Sequence, residues 1–129
     1  MAAKPIPRTR RLRKKLTQSY LWSILDYNPE TGEFKWKWRA DAPRKWNSRW
    51  AGKKAGTLDK HGYLVITINN IHFFAAQLAW CMMTGKFPTN LVDHKDNKPS
   101  NNCWDNLRPA TQPENVRNKK IHKKHYKIL

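Results

Sequence analysis

The order of hydrophobic and polar residues in the first third of the chain predicts a helix followed by a strand. Apolar side chains recur at helical spacing over residues 16–25, and the segment Asn28-Pro29-Glu30-Thr31-Gly32 that follows has the composition of a turn. Over residues 32–39 aromatic and charged residues alternate, which is typical of a strand with one buried face. We therefore expect the aromatic side chains of this strand to lie in the core, namely Phe34, Trp36 and Trp38.

The middle of the chain predicts a hairpin and a buried helix. Residues 63–69 and 71–74 are rich in β-branched and aromatic side chains, and Asn69-Asn70 between them offers a tight turn. Residues 75–84 are almost entirely apolar and precede Gly85, which favours the end of a helix. The pattern thus predicts an α+β fold in which a short helix and antiparallel strands accompany one buried helix.

The polar segments divide the chain. Residues 1–15 carry seven basic side chains and no apolar period, so we expect a disordered basic arm, followed by an α+β region over residues 16–88. Residues 40–60 within that region are polar and basic without a clear period, and they predict a loop or irregular strands. Residues 89–120 hold the candidate chemistry described below, and residues 121–129 form a basic tail.

Charge changes this picture more than any other property of the composition. Lys and Arg number 26 against 9 Asp and Glu in 129 residues, a net charge of +17, which indicates a polyanionic partner. No apolar stretch approaches the roughly 20 residues of a membrane span, so we expect a cytoplasmic protein that binds nucleic acid and no membrane. Cys81 and Cys103 are far apart in sequence and predict reduced thiols.

A constellation of polar residues near the end of the chain points to catalysis. Residues 91–94 read as a strand ending in Asp93-His94, residues 96–102 as a loop, and residues 107–110 as a returning strand. A helix is expected from about residue 112, because Thr111-Gln112-Pro113-Glu114 has the form of a capping box. Asn115 would lie in the first turn of this helix.

The spacing of these residues resembles the HNH endonuclease family in its His-Asn-Asn form. Asn106 follows His94 by twelve residues and Asn115 follows nine later, within the runs Trp104-Asp105-Asn106-Leu107-Arg108 and Glu114-Asn115-Val116-Arg117-Asn118. The resemblance covers roughly residues 16–120 and is closest to small phage and intron-encoded members. It departs from the family at Ala76-Gln77, where many relatives have a His-Arg pair. The fold that it implies is a ββα-metal motif.

The resemblance also implies a function for each residue. His94 would be the general base of phosphodiester hydrolysis and Asn106 would orient it, while Asp93 and Asn115 would hold one Mg²⁺ or Mn²⁺ through oxygen ligands. Asn118 is a second choice for contact with metal or phosphate. Products would carry 5′-phosphate and 3′-hydroxyl ends. We expect Asp96 and Asp105 to stabilise the loop, and Trp80 and Trp104 to lie in the core.

Double-stranded DNA is the partner that the resemblance implies, and basic residues on both sides of the motif are candidates for phosphate contact. Competing interpretations are a DNA-binding module that does not cut and a basic RNA-binding or ribosomal-type protein. Whether one strand or both are cut, and whether the protein is a monomer or a dimer, stay open. The candidate DNA-binding residues are Arg10, Arg11, Arg13, Lys14, Lys15, Arg44, Lys45, Arg49, Lys53, Lys54, Arg108, Arg117, Lys119 and Lys120.

Overall fold

The computed structural model describes residues 16–89 and 91–110, and this part of the chain alternates short helices with antiparallel strand pairs. Its helices are α1 (Gln18–Ile24), α2 (Arg44–Trp50) and α3 (Ala75–Thr84). Its strands are β1 (Leu25–Tyr27), β2 (Phe34–Trp36), β3 (Thr57–Leu58), β4 (Leu64–Ile68), β5 (Ile71–Phe74), β6 (Val92–His94) and β7 (Leu107–Pro109). They pair as β1-β2, β3-β4-β5 and β6-β7. The predicted α+β class is confirmed.

The first helix is shorter than predicted because its end becomes a strand. Thr17 caps α1 by accepting a hydrogen bond from the backbone N–H of Tyr20, and Leu25 is already extended at φ −130°. The three residues of β1 pair with β2 across the predicted turn. The prediction for Trp38 was wrong, since β2 ends two residues earlier and this side chain is 67% exposed.

Residues 40–60 contain an ordered helix where a loop or irregular strands were predicted. Helix α2 has no apolar stripe, and its one buried residue is Asn47. The Asn47 side chain accepts a hydrogen bond from the Arg39 backbone N–H and donates one to the Arg39 carbonyl oxygen, at 2.7 and 2.8 Å. A tertiary contact of this kind leaves no hydrophobic period in the sequence, which is why the pattern missed the helix.

The predicted hairpin is confirmed as β4 and β5. Asn69 and Asn70 connect the two strands with φ of 51° and 67°, a left-handed conformation that asparagine tolerates better than most residues. Ile66, Ile68 and Phe73 are at most 1% exposed and turn one face of the sheet into the core. Burying each such side chain is worth about 1.5–3 kcal/mol, so this hairpin contributes substantially to folding.

Helix α3 is the central buried element, as predicted. It packs against α1, β4, β5 and β6, and it ends at Gly85, whose φ of 91° is the left-handed C-cap expected for glycine. Trp80 and Trp104 pack together with ring centroids 5.1 Å apart against this core, which confirms their predicted structural place.

Cys81 and Cys103 are free thiols, as expected. In residues 16–89 and 91–110 no helix is both long and apolar enough to cross a membrane. The predicted arm over residues 1–15, the helix from about residue 112 with its Thr111 cap, and the tail over residues 121–129 lie outside the described residues. The division of the chain at residues 16–88 and 89–120 stays a prediction.

Candidate functional site

The β6-β7 strand pair holds the two residues expected to do the chemistry. Asp93 lies directly opposite Arg108, and His94 lies opposite Leu107. The backbone N–H of Ala110 donates to the carbonyl oxygen of Leu91, which extends the pairing by one residue on each strand beyond Val92 and Pro109. The predicted strand, loop and returning strand are therefore present, and the pleat fixes where each of the two side chains leaves the backbone.

The Asp93 carboxylate is buried and faces a cation of the protein itself. Its Oδ1 accepts a hydrogen bond from the backbone N–H of His94 at 3.0 Å. Its Oδ2 accepts from Nε and Nη2 of Arg108, at 3.2 and 3.0 Å. The carboxylate is 4% exposed while the Arg108 side chain is 45% exposed, so the buried negative charge is balanced from the solvent side.

The His94 imidazole is held by a hydrogen bond to Asn102 and by packing. Its Nε2 lies 3.0 Å from Oδ1 of Asn102, and both residues are only 2% exposed. The ring of Tyr63 packs at a tilt of 59° with its centroid 6.1 Å from that of the imidazole. A cavity of about 20 Å³, with room for one water molecule, lies against His94 and is lined also by Gln77 and Leu91.

Asn106 acts on the loop between the two strands. Its Oδ1 accepts from the Asp96 backbone N–H at 3.0 Å, and its Nδ2 donates to Asp96 Oδ1 at 2.9 Å and to the Asn101 carbonyl oxygen at 2.8 Å. Its own carbonyl oxygen accepts from the backbone N–H of Lys95. Asn106 thus closes the loop that follows His94, and the predicted effect on His94 would pass through the loop.

Asp96 stabilises the same loop, as expected of it. Hydrogen bonds from the Asn101 amide, from the Lys98 backbone and from the Asn106 amide lower the pKa of its carboxyl to about 2. The carboxylate is therefore ionised throughout the physiological pH range. Asp105 is exposed.

Sequence reasoning missed Asn102 as a contact of His94. It lies in the polar run over residues 96–102, where several residues have similar side chains, and no spacing rule distinguishes it from its neighbour Asn101. The signal is purely spatial, because only the folded loop brings the Asn102 amide to the imidazole. Ala76 and Gln77, where the sequence departs from the family resemblance, are both buried.

The candidate DNA-binding residues fall into two groups. Those outside the described residues are Arg10, Arg11, Arg13, Lys14, Lys15, Arg117, Lys119 and Lys120, together with the candidate ligands Asn115 and Asn118. The described ones are exposed, and five of them cluster on or just after α2: Arg44, Lys45, Arg49, Lys53 and Lys54. Only Lys54 of these five has an acidic partner in the described part of the chain, Glu33 at 3.4 Å.

A groove of about 690 Å³ separates α2 from the outer face of the three-stranded sheet. Trp46 and Trp50 line its helical side, and Thr57, Val65 and Thr67 line the strands. Trp50 is 38% exposed, and the guanidinium of Arg49 lies 5.1 Å from the centroid of its ring. The cationic cluster of α2 therefore borders a surface that is itself concave and partly aromatic.

A divalent cation is the group that the resemblance implies for this site, and the described donors are compatible with it. Within residues 16–89 and 91–110, no three His, Cys, Asp or Glu side chains form a metal-binding group. Asp93 nonetheless offers a buried carboxylate oxygen that already has a cationic partner in Arg108. An anionic oxygen of this kind suits a hard cation such as Mg²⁺ or Mn²⁺.

Comparison with known proteins gives two positive findings. Residues 73–117 match the model of a family described as HNH endonuclease. The fold is similar to a solved structure described as "DNA binding and cleavage by the HNH homing endonuclease I-HmuI", with a TM-score of 0.52 and 24% sequence identity. That similarity covers 81% of this chain and 56% of the other, so this chain spans a little over half the length of that protein. No curated protein is significantly similar in sequence.

Proposed function

We propose that this chain, whose residues 73–117 match the model of the HNH endonuclease family, hydrolyses phosphodiester bonds of double-stranded DNA with one divalent cation. The observation that carries the proposal is the buried pair at the end of β6. The His94 imidazole is bonded through Nε2 to Asn102, and the Asp93 carboxylate stands next to it in sequence. A positioned base beside a positioned anion is what this hydrolysis requires.

His94 is the general base in this proposal. When its Nε2–H donates to Asn102, the lone pair lies on Nδ1, and that nitrogen takes a proton from the attacking water. Histidine accepts protons near neutral pH, which makes it suited to this step. Because the side chain is only 2% exposed, the water that it activates is an enclosed molecule rather than bulk solvent.

Asp93 would hold the cation together with Asn115, which lies outside the described residues. A divalent cation bound there supplies charge neutralisation on the phosphate and on the departing oxygen. Arg108 donates to Oδ2 of the Asp93 carboxylate, and its side chain is half exposed. We therefore place Arg108 beside the phosphate that is cut. Hydrolysis by this route would leave 5′-phosphate and 3′-hydroxyl ends.

The cationic cluster of α2 is the proposed docking surface for the DNA backbone. Its exposed side chains carry positive charge, most of it without an acidic partner in the described residues, beside a groove with a partly exposed tryptophan. Phosphate contacts give affinity that depends strongly on salt and carries little sequence information. This surface would hold the duplex without selecting its sequence.

Supercoiled plasmid tests the proposed activity directly. The full chain should convert it to open-circle or linear DNA in Mg²⁺ or Mn²⁺ and should leave it intact in excess EDTA. Nicks with 5′-phosphate and 3′-hydroxyl ends should be sealed by DNA ligase without prior treatment. Plasmid that stays supercoiled with every metal, while binding stays tight and salt-sensitive, would favour a DNA-binding module that does not cut.

Removing two lysines of the α2 cluster should weaken DNA binding in a salt-dependent manner. We expect Lys45→Gln/Lys53→Gln to reduce the slope of log K against log salt concentration by about 0.9 for each lysine that contacts a phosphate. Fluorescence anisotropy with a labelled duplex at several salt concentrations measures the slope.

The matched control for this measurement removes the same charge elsewhere. Lys60 lies in the turn before β4 and Lys86 follows α3, and both side chains are exposed. Lys60→Gln/Lys86→Gln should change the slope little. Equal slopes for the two double variants would show that α2 is not the docking surface.

A further inference from the structure

The hydrogen bond between Asn102 and His94 decides which imidazole nitrogen is basic. Oδ1 of an amide can only accept, so the 3.0 Å contact is a hydrogen bond when Nε2 of His94 carries the proton. We propose that Asn102 is a positioning residue that holds His94 in the Nε2–H tautomer, and that the β1-β2 hairpin holds Asn102. The proposal rests on the function of His94 proposed above.

The backbone of Asn102 is fixed from the other end of the chain. The Tyr27 hydroxyl donates to the Asn102 carbonyl oxygen at 2.6 Å, and both residues are buried. Burial raises the pKa of the Tyr27 hydroxyl well above its usual value, so the group stays protonated and remains a donor. A strand residue 75 positions away therefore sets the position of the loop.

Gly32 in the turn of the same hairpin packs against the same peptide bond. A Cβ at this position would lie 2.6 Å from the carbonyl carbon of Asn102 and 2.6 Å from the nitrogen of Cys103. Only glycine permits so close an approach of the two backbones. The absence of a side chain at residue 32 thus lets the hairpin backbone pack directly against the loop backbone.

Two further contacts join the turn to the residues that follow Asn102. The backbone N–H of Trp104 donates to the Pro29 carbonyl oxygen at 2.8 Å, and the Cys103 thiol donates to the Glu30 carbonyl oxygen at 3.1 Å. The contacts come from four residues of the hairpin and hold residues 102–104 at the end of the loop. We call this set of contacts, from Tyr27, Pro29, Glu30 and Gly32, the hairpin brace.

The actions of Asn102 and Asn106 are separable. Asn106 bonds the backbone and side chain of the loop over Asp96 and Asn101, whereas Asn102 bonds the imidazole itself. Loss of Asn106 would therefore loosen the loop. Loss of the Asn102 amide would leave the loop folded but allow the His94 proton to exchange between Nε2 and Nδ1. A measurement of the tautomer distinguishes the two.

The experiment is nitrogen NMR of the full chain labelled with ¹⁵N-histidine, without metal or DNA. His94→Gln identifies the His94 signals by their loss. Wild type should show a protonated Nε2 and an unprotonated Nδ1, and Asn102→Asp, which keeps an acceptor oxygen, should keep the proton on Nε2. Asn102→Leu should give averaged signals, together with a decrease in kcat of roughly 10- to 100-fold at unchanged KM.

Several results would overturn the inference. A wild-type His94 that is protonated on Nδ1 would mean that the amide donates instead of accepting, and an unchanged tautomer in Asn102→Leu would show that other contacts fix the ring. If Asn102→Leu does not fold, Tyr27→Phe removes only the brace hydroxyl and should broaden the His94 signals, and unchanged signals would contradict the brace. Because the tautomer is read without cleavage, the predicted pattern in a protein that never cuts DNA would refute only the proposed function.

Discussion

His94→Ala is expected to reduce metal-dependent cleavage of plasmid by about 10²- to 10⁴-fold, the usual contribution of a general base. The substitution removes the nitrogen that takes the proton of the attacking water. It leaves the exposed cations of α2 in place, so the Kd for a duplex should change by less than about twofold. Rates of supercoil loss under single-turnover conditions, with anisotropy of a labelled duplex, separate the two effects.

His72→Ala is the matched control for that measurement. His72 is exposed on β5 and bonds Thr67 across the hairpin, so it has the same chemistry in another place. Its replacement should leave the cleavage rate close to that of wild type. If the two alanine variants cleave equally well, His94 is not the base.

The second large effect is expected from Gly32→Ala, which should destabilise the fold more than the same change at Gly52. Both glycines have a left-handed backbone, with φ of 80° and 85°, and an alanine there costs about 1–2 kcal/mol. A Cβ at residue 52 meets nothing within 4 Å, whereas at residue 32 it meets the peptide of Asn102 and Cys103. Overpacking of this kind adds about 1–3 kcal/mol.

Urea denaturation followed by tryptophan fluorescence measures both variants on the same scale. Because each exchange removes one glycine from the unfolded chain, the entropic gain of alanine cancels in the comparison. The difference in unfolding free energy between the two variants therefore reports the contact of the hairpin with the loop. Equal losses of unfolding free energy in Gly32→Ala and Gly52→Ala would show that the turn does not pack tightly against the loop.

Several elements could be predicted because local sequence and tertiary structure agree in them. The hairpin of β4 and β5 has β-formers on both sides of Asn69-Asn70, and α3 is apolar up to its capping Gly85. The strand that presents Asp93 and His94 could be placed from the motif and its polar loop. In each of these, the favoured local conformation is also the one that buries the apolar side chains.

The errors have a common physical origin in contacts between distant segments. Helix α2 is held by Asn47 on the backbone of Arg39, and a polar residue that is buried for this reason looks like a loop residue in the sequence. Trp38 continues the alternation of aromatic and charged residues, but β2 ends at Trp36, so the Trp38 side chain is not directed into the core. In the sequence Asn102 is one of several polar loop residues, and only the folded structure shows its contact with His94.

The hairpin brace has a consequence for how the site comes into being during folding. Tyr27 must meet a loop 75 residues further along the chain before Asn102 is held, and closing so long a loop is entropically costly and slow. The positioned base is therefore a product of the whole fold and not of the motif alone. A minimal fragment cut out around residues 89–120, for transfer to another DNA-binding scaffold, would carry the reactive side chains but leave behind the segment that aligns them.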